Sequence, residues 1–446
     1  RYRSAQRSVA RRVYRTLANG EHLLLEAPTG SGKSMATIFP ALKYLQPQQQ
    51  LFFLTNRTTG AEAALNSAGL VADTSKYLSV VQLTAKEKMC QTDGVACEPQ
   101  DCGRCKDYFA RAPYAVNELL QRGIVDRYTL QQVADEFSVC PFEVSLDLAV
   151  WADMIIGDYN YLFDPFVKLQ RFADPGRSLL LVDEAHQLSG RVSQMLSTEI
   201  AIDNKAALLE SPSDDFSHAA NEVFSVIRGL AQSAGGDGAR VIERPLQLEA
   251  AAQRLVEAVE VLQLFDDLDP QSLELYFACL RWVRSLEWFE EREYQHLSFE
   301  HAQGYMIQRL CLDASAYISD VVHGHAASIR FSGTVSPLAL YQRLHGCAED
   351  QDERAASPFS ATQSAVLVVR DIPTYFRRRS DSLPMLSELV NTLVEARPGH
   401  YLIAFSSYSY LDGFAEQHSA LGHVFRSQSR ADSAADIQAH KDFVLG

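Results

Sequence analysis

Leu23-Leu24-Leu25-Glu26-Ala27-Pro28-Thr29-Gly30-Ser31-Gly32-Lys33-Ser34 decides the fold: an apolar strand-like run, a glycine turn, then the start of a helical pattern. Such a turn lets backbone N–H groups converge on phosphate at a helix N-terminus. Thr29, Gly30, Ser31 and Gly32 form the cradle, Lys33 neutralises the β and γ charges, and the Ser34 hydroxyl ligates Mg²⁺. The expected ligand is ATP with Mg²⁺. A second run, Leu179-Leu180-Leu181-Val182-Asp183-Glu184-Ala185-His186, is an apolar strand ending in two acids. Phosphoryl transfer is mostly positioning and charge stabilisation, so Asp183 is expected in the Mg²⁺ shell and Glu184 on the attacking water. His186 would couple the nucleotide site to neighbouring motifs.

Around these runs the first 85 residues alternate strand-like and helical patterns, including Leu51-Phe52-Phe53-Leu54, the rhythm of a parallel α/β sheet. Residues 86–145 interrupt it, and it resumes at Met154-Ile155-Ile156 and at Leu179 to Val182. Residues 191–320 read as helical, with Leu, Val and Phe at three- and four-residue spacings among acids. Strand-like runs return at Ser328 to Phe331, Ala365 to Val369 and Tyr401 to Phe405, which predicts a last strand of the first domain and a second α/β domain.

The composition of the 446 residues, 47% hydrophobic and 22% charged, excludes long disorder and fibrous architectures. The longest apolar runs fall far short of the ~20 residues of a membrane span. Net charge is −15, yet residues 191–320 carry 10 Lys/Arg against 22 Asp/Glu, leaving the rest of the chain near neutral at 31 against 34. Residues 1–20 hold six arginines and no acid, either a basic patch or a solvated helix face. The chain opens at Arg1 rather than Met and closes on an apolar Phe443-Val444-Leu445 run into Gly446, so both ends read as trimmed.

Five of the eight cysteines, Cys90, Cys97, Cys102, Cys105 and Cys140, lie between positions 90 and 140. With no leader visible, a cytoplasmic location and metal or cluster ligation are the expected reading. Thiolates suit iron–sulfur or zinc, so spacing alone does not choose the metal. Cys97-x4-Cys102-x2-Cys105 also has a plant-type [2Fe-2S] spacing, which leaves the first ligand open between Cys90 and Cys97. Cys279, Cys311 and Cys347 read as buried structural cysteines.

These motifs together resemble the superfamily-two helicases, and within them the XPD/DinG-like iron–sulfur family. The resemblance rests on Arg3 and Gln6 ahead of the loop, on Glu26 to Ser34 with Ala27 in its first position, and on Leu54-Thr55-Asn56-Arg57-Thr58. It continues through Cys140-Pro141-Phe142-Glu143, Ala152 to Leu162, the Asp-Glu-Ala-His box, Ser332-Gly333-Thr334-Val335-Ser336-Pro337 and Ala404-Phe405-Ser406-Ser407-Tyr408. It implies Gln6 at the adenine; Thr55, Asn56, Arg57, Ser407 and Tyr408 on DNA; and Ser332 and Thr334 coupling ATP state to domain movement. Cys90, Cys102, Cys105 and Cys140 would hold a [4Fe-4S] cluster. Tyr159, Asn160 and Tyr161 would either meet bases in a channel, where stacking contributes roughly 1 to 3 kcal/mol per base, or pack in the core. The Arg377-Arg378-Arg379 run reads as a solvated turn.

The implied architecture is α/β: a RecA-like motor domain (1–85, 146–190, 323–348) interrupted by an iron–sulfur insertion (86–145) and a helical arch (191–322), then part of a second RecA-like domain (349–446). The implied activity is ATP-driven unwinding of single-stranded or forked DNA, 5′ to 3′, by a monomer off the membrane, with the arch's acids facing outward. A DNA-binding ATPase switch without unwinding is the alternative, and a zinc-stapled remodeller of protein complexes a third. The family's later motifs, which supply arginine fingers, do not occur in this chain; a finger contributes roughly 10³ to 10⁵ in turnover. The chain by itself is therefore expected to bind nucleotide and hydrolyse it slowly.

Overall fold

The computed structural model describes residues 4–72, 78–90, 102–167, 175–203, 213–234, 238–265, 268–301, 304–357 and most of 360–443. Arg3 and Cys97 lie outside the described residues. Two compact units divide the chain, residues 1–358 and 359–446.

The first unit opens with α1 (Ser4–Ala18), in which Val9, Val13 and Leu17 recur every fourth position and are buried. Arg7, Arg11 and Arg15 stay exposed, the solvated face. β1 (His22–Glu26), α2 (Lys33–Tyr44), β2 (Leu51–Leu54), α3 (Thr58–Ala72) and β3 (Val80–Gln82) alternate as expected. The cysteine-rich insertion supplies α4 (Lys86–Met89), α5 (Tyr108–Arg122), β4 (Ile124–Val125), α6 (Arg127–Glu136) and α7 (Pro141–Ala149). β5 (Met154–Gly157), α8 (Asn160–Phe163), β6 (Leu179–Asp183) and α9 (Leu188–Leu196) resume the alternation.

Next comes the arch segment: β7 (Thr198–Asp203), α10 (Asp214–Ala234), β8 (Gly238–Ile242), α11 (Leu246–Leu262), α12 (Pro270–Arg284), β9 (Tyr294–His301) and β10 (Gly304–Cys311). α13 (Ser315–Gly324), β11 (Ala327–Ser332), α14 (Leu338–Leu344) and β12 (Gln351–Arg354) close the unit.

The main sheet has the order β12-β1-β11-β6-β2-β5-β3-β4 with parallel pairing throughout. β2 and the Leu179 to Val182 run of β6 are apolar at every position because both faces are covered, while β11 carries the buried Arg330 between Ile329 and Phe331. Leu23, Leu25, Phe53, Leu181 and Phe331 enter one core with α1, α2 and α3, while Leu24, Phe52, Leu180 and Val182 enter the other with α5, α7, α9 and α13. Two expected boundaries need correction. β12 pairs with β1, so the first sheet runs past residue 348. The cysteine-rich insertion is also not a separate body: β4 extends the sheet and its helices share the second core.

The arch contains a sheet beside the helices expected to dominate it. Its three helices pack on an antiparallel sheet, β7-β10-β9-β8, around Phe216, Leu255, Trp282 and Ile307. Leaving through β7 and returning through the adjacent β10, the chain has its two junctions tied by the Cys311 N–H donating to Ser197 Oγ at 3.0 Å. Period-2 alternation is present in β7, buried at Thr198, Ile200 and Ile202, but is only six residues long. Of the described acids in 191–320, all but Glu222, Glu249, Asp269 and Glu293 are exposed. Cys279, Cys311 and Cys347 are buried.

The second unit contains α15 (Arg379–Ala396) and α16 (Tyr408–His418), joined by a Ser382–Tyr410 hydroxyl pair and a Ser387–His418 hydrogen bond of 3.1 Å. The strands expected at 365–369 and 401–405 are not formed. Val366, Leu367 and Val368 are at least 77% exposed, and an apolar run becomes a strand only when neighbours take up its N–H and C=O groups.

One charge cluster holds the arch together. Arg309, fully buried, donates to Glu249 at 2.7 Å and to the Trp282 carbonyl at 3.1 Å, and lies 4.4 Å over the Trp282 ring. Burial pulls its pKa down to about 10 and that of its neighbour His296 to about 4, so His296 accepts from Arg309 as a neutral ring. Glu249→Ala leaves the guanidinium uncompensated and should cost about 3 to 5 kcal/mol. Arg309→Met with Glu249→Leu should cost far less. Urea unfolding followed by tryptophan fluorescence measures both; equal losses in the two variants would show that the ion pair is not what matters.

Candidate active site

The candidate catalytic residues converge at the C-terminal ends of the parallel strands, where open α/β sheets bind ligands. The loop after β1 turns through Gly30 (φ 79°) and Gly32 (φ 77°), left-handed conformations that favour glycine, and releases Lys33 and Ser34 into the first turn of α2. Gln6 of α1 donates to the Gly32 carbonyl at 3.4 Å, and a Cβ at Gly32 would stand 1.9 Å from its Nε2. Thr29 lies against Gly333, where an added Cβ would come within 3.0 Å of its Oγ1. Gln6, the cradle and the loop after β11 thus close on one another.

β6 is buried along its whole length and delivers Asp183 and Glu184 beside this cradle. Burial raises the Asp183 pKa to about 6; the Glu184 N–H, 2.9 Å from Oδ1, and the charges of Lys33 and Arg57 pull it back. Glu184 sits at φ 53°, a left-handed turn that swings its side chain off the strand axis. Its Oε1 is 3.1 Å from Arg57 Nη1, and its Oε2 is 3.4 Å from both His186 Nδ1 and Ser332 Oγ. Burial lowers the His186 pKa, so its 2.7 Å contact with Ser332 Oγ is a hydrogen bond of a neutral ring. The Ser332 carbonyl accepts from the Ala27 N–H at 2.9 Å, and Ser332 Oγ accepts from the Thr334 N–H at 3.3 Å. Ser332 therefore touches the phosphate loop, His186 and Glu184.

Thr55, Asn56 and Arg57 leave the end of β2 toward the same place. Thr55 is buried with its N–H on the Gly157 carbonyl at 2.9 Å, and Asn56 Nδ2 donates to Gln187 Oε1. Arg57 is the exposed member, 53% accessible. The base-stacking expectation for Tyr159 and Tyr161 does not hold: they are 0% and 7% exposed and present no face to a base. Tyr159 instead donates its hydroxyl to the Asp183 carbonyl, and Tyr161 packs under Gly157, its pKa pushed up to about 12 by burial. Asn160, half-buried beside them, donates its N–H to Asp158 at 3.0 Å.

Ser407 caps α16 through the Tyr410 N–H at 3.3 Å and accepts from Arg379 at 3.2 Å, while Arg430 lies 5.5 Å over the Tyr408 ring. Arg377 and Arg378 are exposed, as a solvated turn requires, but Arg379 is half-buried at the start of α15 over the Phe376 and Tyr410 rings.

Three chain segments carry the candidate cluster ligands. Cys90 follows α4, Cys102 and Cys105 form one turn closed by a 2.9 Å bond from the Cys105 N–H to the Cys102 carbonyl, and Cys140 caps α7. Met89 and Cys140 are buried in the core that spans this face of the sheet, and Cys105 packs against it.

Two supporting residues, Gly60 and Gln187, were not legible beforehand, and neither was the anchoring role of Tyr159. Gly60, in the first turn of α3, approaches so closely that a Cβ would fall 2.4 Å from Thr55 Oγ1 and 3.2 Å from Asp183 Oδ2. Gln187 receives Asn56, and Tyr159 anchors Asp183. A glycine inside a helix start was the one available sequence cue.

The raised Asp183 pKa makes a signed test possible. Protonation competes with a cation, so Mg²⁺-dependent nucleotide affinity should fall as pH drops below about 6 and level off above it. A carboxyl whose pKa rises on folding destabilises the apoprotein as pH climbs from the ordinary value of 3.8 toward about 6. Asp183→Asn should therefore raise the Tm of apoprotein near neutral pH, leave it unchanged in acid, and abolish the Mg²⁺ effect; a pH-independent Tm difference would contradict this.

The DEAD/DEAH box helicase family matches residues 4–89 and the DEAD_2 family residues 71–204. A regulator of telomere elongation helicase 1 homolog from Drosophila persimilis is 24% identical over 52% of this chain and 28% of its own length. The general transcription and DNA repair factor IIH helicase subunit XPD of Dictyostelium discoideum is also 24% identical, over 43% of this chain and 28% of its own length. The chain thus spans little more than a quarter of these relatives. A solved XPD helicase superposes on the whole chain with a TM-score of 0.62 at 16% identity, covering 79% of that structure. A truncated XPD gives 0.50 at 16% identity over 78% of this chain. With the Gln6, phosphate-loop, Asp-Glu-Ala-His and Ser332-Gly333-Thr334 elements assembled around one candidate nucleotide site, the chain resembles the XPD-like superfamily-two helicases in sequence and has the fold of a solved XPD helicase.

Proposed function

We propose that this chain is the nucleotide-binding and strand-tracking part of an ATP-driven DNA helicase that moves 5′ to 3′ on single-stranded or forked DNA in repair or replication maintenance. The observation that carries the reading is Ser332, bonded through its carbonyl to the phosphate loop and through its hydroxyl to His186 and Glu184. A site that only stored nucleotide has no need to link the γ-phosphate acids to a third loop.

Lys33 and the Gly30 to Gly32 turn would hold the phosphates, with Ser34 and Asp183 on Mg²⁺. Glu184 would take a proton from the attacking water as its oxygen bonds the γ-phosphorus and the bond to ADP breaks. Gln6 would read the adenine, and Arg57 a DNA phosphate. Cys90, Cys102, Cys105 and Cys140 would hold a [4Fe-4S] cluster, which supplies a rigid staple across the insertion. The arch would stand beside the strand path with its acids in solvent, discouraging DNA from its outer face. Among the described helices none is long and apolar enough to cross a membrane; the protein would work as a monomer in the cytoplasm, at the nucleoid if it is bacterial.

Fork unwinding and DNA-stimulated ATP hydrolysis by the full-length protein test the reading. Lys33→Ala should abolish both, and DNA-stimulated hydrolysis without strand displacement would point instead to an ATPase switch. Anaerobically purified protein should be coloured and carry about four iron atoms per chain. Cys140→Ser should lose them; a zinc content in place of iron would remove the cluster from the account.

A further inference from the structure

Both oxygens of Glu184 are committed. Oε2 faces His186 and Ser332, which belong to the nucleotide-sensing network, but Oε1 is held at 3.1 Å by a residue outside that network, Arg57. Arg57 is on the loop after β2, and its guanidinium is half in solvent. The loop itself is fixed. Asn56 Nδ2 bonds Gln187 Oε1 on the Asp-Glu-Ala-His side, the Thr55 N–H bonds the Gly157 carbonyl, and the Arg57 N–H reaches Thr55 Oγ1 at 3.4 Å. A change of partner by Arg57 would therefore be a side-chain movement on a stationary backbone.

We propose that Arg57 is a gate on hydrolysis: it clamps Glu184 until a DNA phosphate takes the guanidinium, which frees Oε1 for the attacking water. Three physical points support this. A carboxylate oxygen held by a guanidinium is not available to orient a water and accept its proton. A half-exposed ion pair contributes little stability, so it is easily exchanged. The planar guanidinium fork matches a phosphate at least as well as a carboxylate, and exchanging one for the other leaves the charge paired. Stimulation by DNA then needs no long pathway, because one side chain reaches both the strand and the base. Arg57 acts through Glu184 and is a positioning residue, not a catalytic one.

The inference rests on the ATP-driven DNA reading above, and the test separates the two. Steady-state ATP hydrolysis by the full-length protein is measured with and without saturating oligothymidylate, for the wild type, Arg57→Gln and Arg57→Lys. Arg57→Gln should raise the DNA-free rate roughly two- to fivefold, the size of a half-exposed ion pair, and bring the ratio of stimulated to unstimulated rate close to unity. Arg57→Lys, which keeps the charge without the fork, should fall between. If Arg57→Gln leaves the DNA-free rate unchanged or lower while higher DNA concentrations restore full stimulation, Arg57 is a phosphate contact and nothing more, and the gate is wrong. A wild type that DNA does not stimulate overturns both the gate and the helicase reading.

Discussion

A carboxylate buried at the end of a strand is the constraint on which the rest depends. Asp183 closes β6, is 8% exposed, and is ionised at neutral pH only because its neighbours offset the cost of burial. The Glu184 N–H donates to its side chain, Lys33 and Arg57 supply positive charge, and Tyr159 fixes its carbonyl from below. Tyr159 can do this because burial, reinforced by the Asp183 and Glu184 charges, keeps the phenol protonated. Gly60 is bare because a side chain there would strike Thr55 and crowd the carboxylate. Stability is given up at this point to hold a charge where a cation is needed, the exchange expected at a functional site.

The arch leaves the main sheet one helix after this constraint. The arch departs through α9, directly after the Asp-Glu-Ala-His turn, and returns to β11, which ends at Ser332. The two stems of the arch meet at its base, where the Cys311 N–H donates to Ser197 Oγ, while the His186–Ser332 hydrogen bond lies at the far end of β11. The cysteine-rich insertion behaves differently. It shares a core with the motor and lends β4 to the sheet, which makes it part of the same packed body.

Buried charge is used twice, to opposite ends. In the arch, Arg309 and Glu249 neutralise each other amid Trp282, Phe289 and neutral His296, and the pair is closed to solvent. At the nucleotide site the ion pair of Glu184 with Arg57 is open to water and correspondingly easy to exchange. Geometry is similar in the two pairs; accessibility separates a structural interaction from a switchable one.

Local chemistry was enough to determine the phosphate loop, the acids at the end of β6, the alternation of the sheet and the cysteine-rich interruption, because glycine turns, doubly covered strands and thiol spacings act over a few residues. Lys33, Ser34, Asp183, Glu184 and His186 were legible for that reason, Gln6 and Ser332 only through the resemblance of their motifs to a family, and the structure gathers them. Only the tertiary structure decided that Tyr159 and Tyr161 face inward, that the arch contains a sheet, that β12 joins the first unit, and that Arg57 meets Glu184. An aromatic beside a strand has the same local pattern whether it packs or stacks, and a six-residue strand among helices leaves a weak periodic trace. Arg57 and Glu184 are 127 positions apart (184 − 57), and no local rule pairs them; the parallel order of β2 beside β6 does, by ending both strands at the same edge of the sheet.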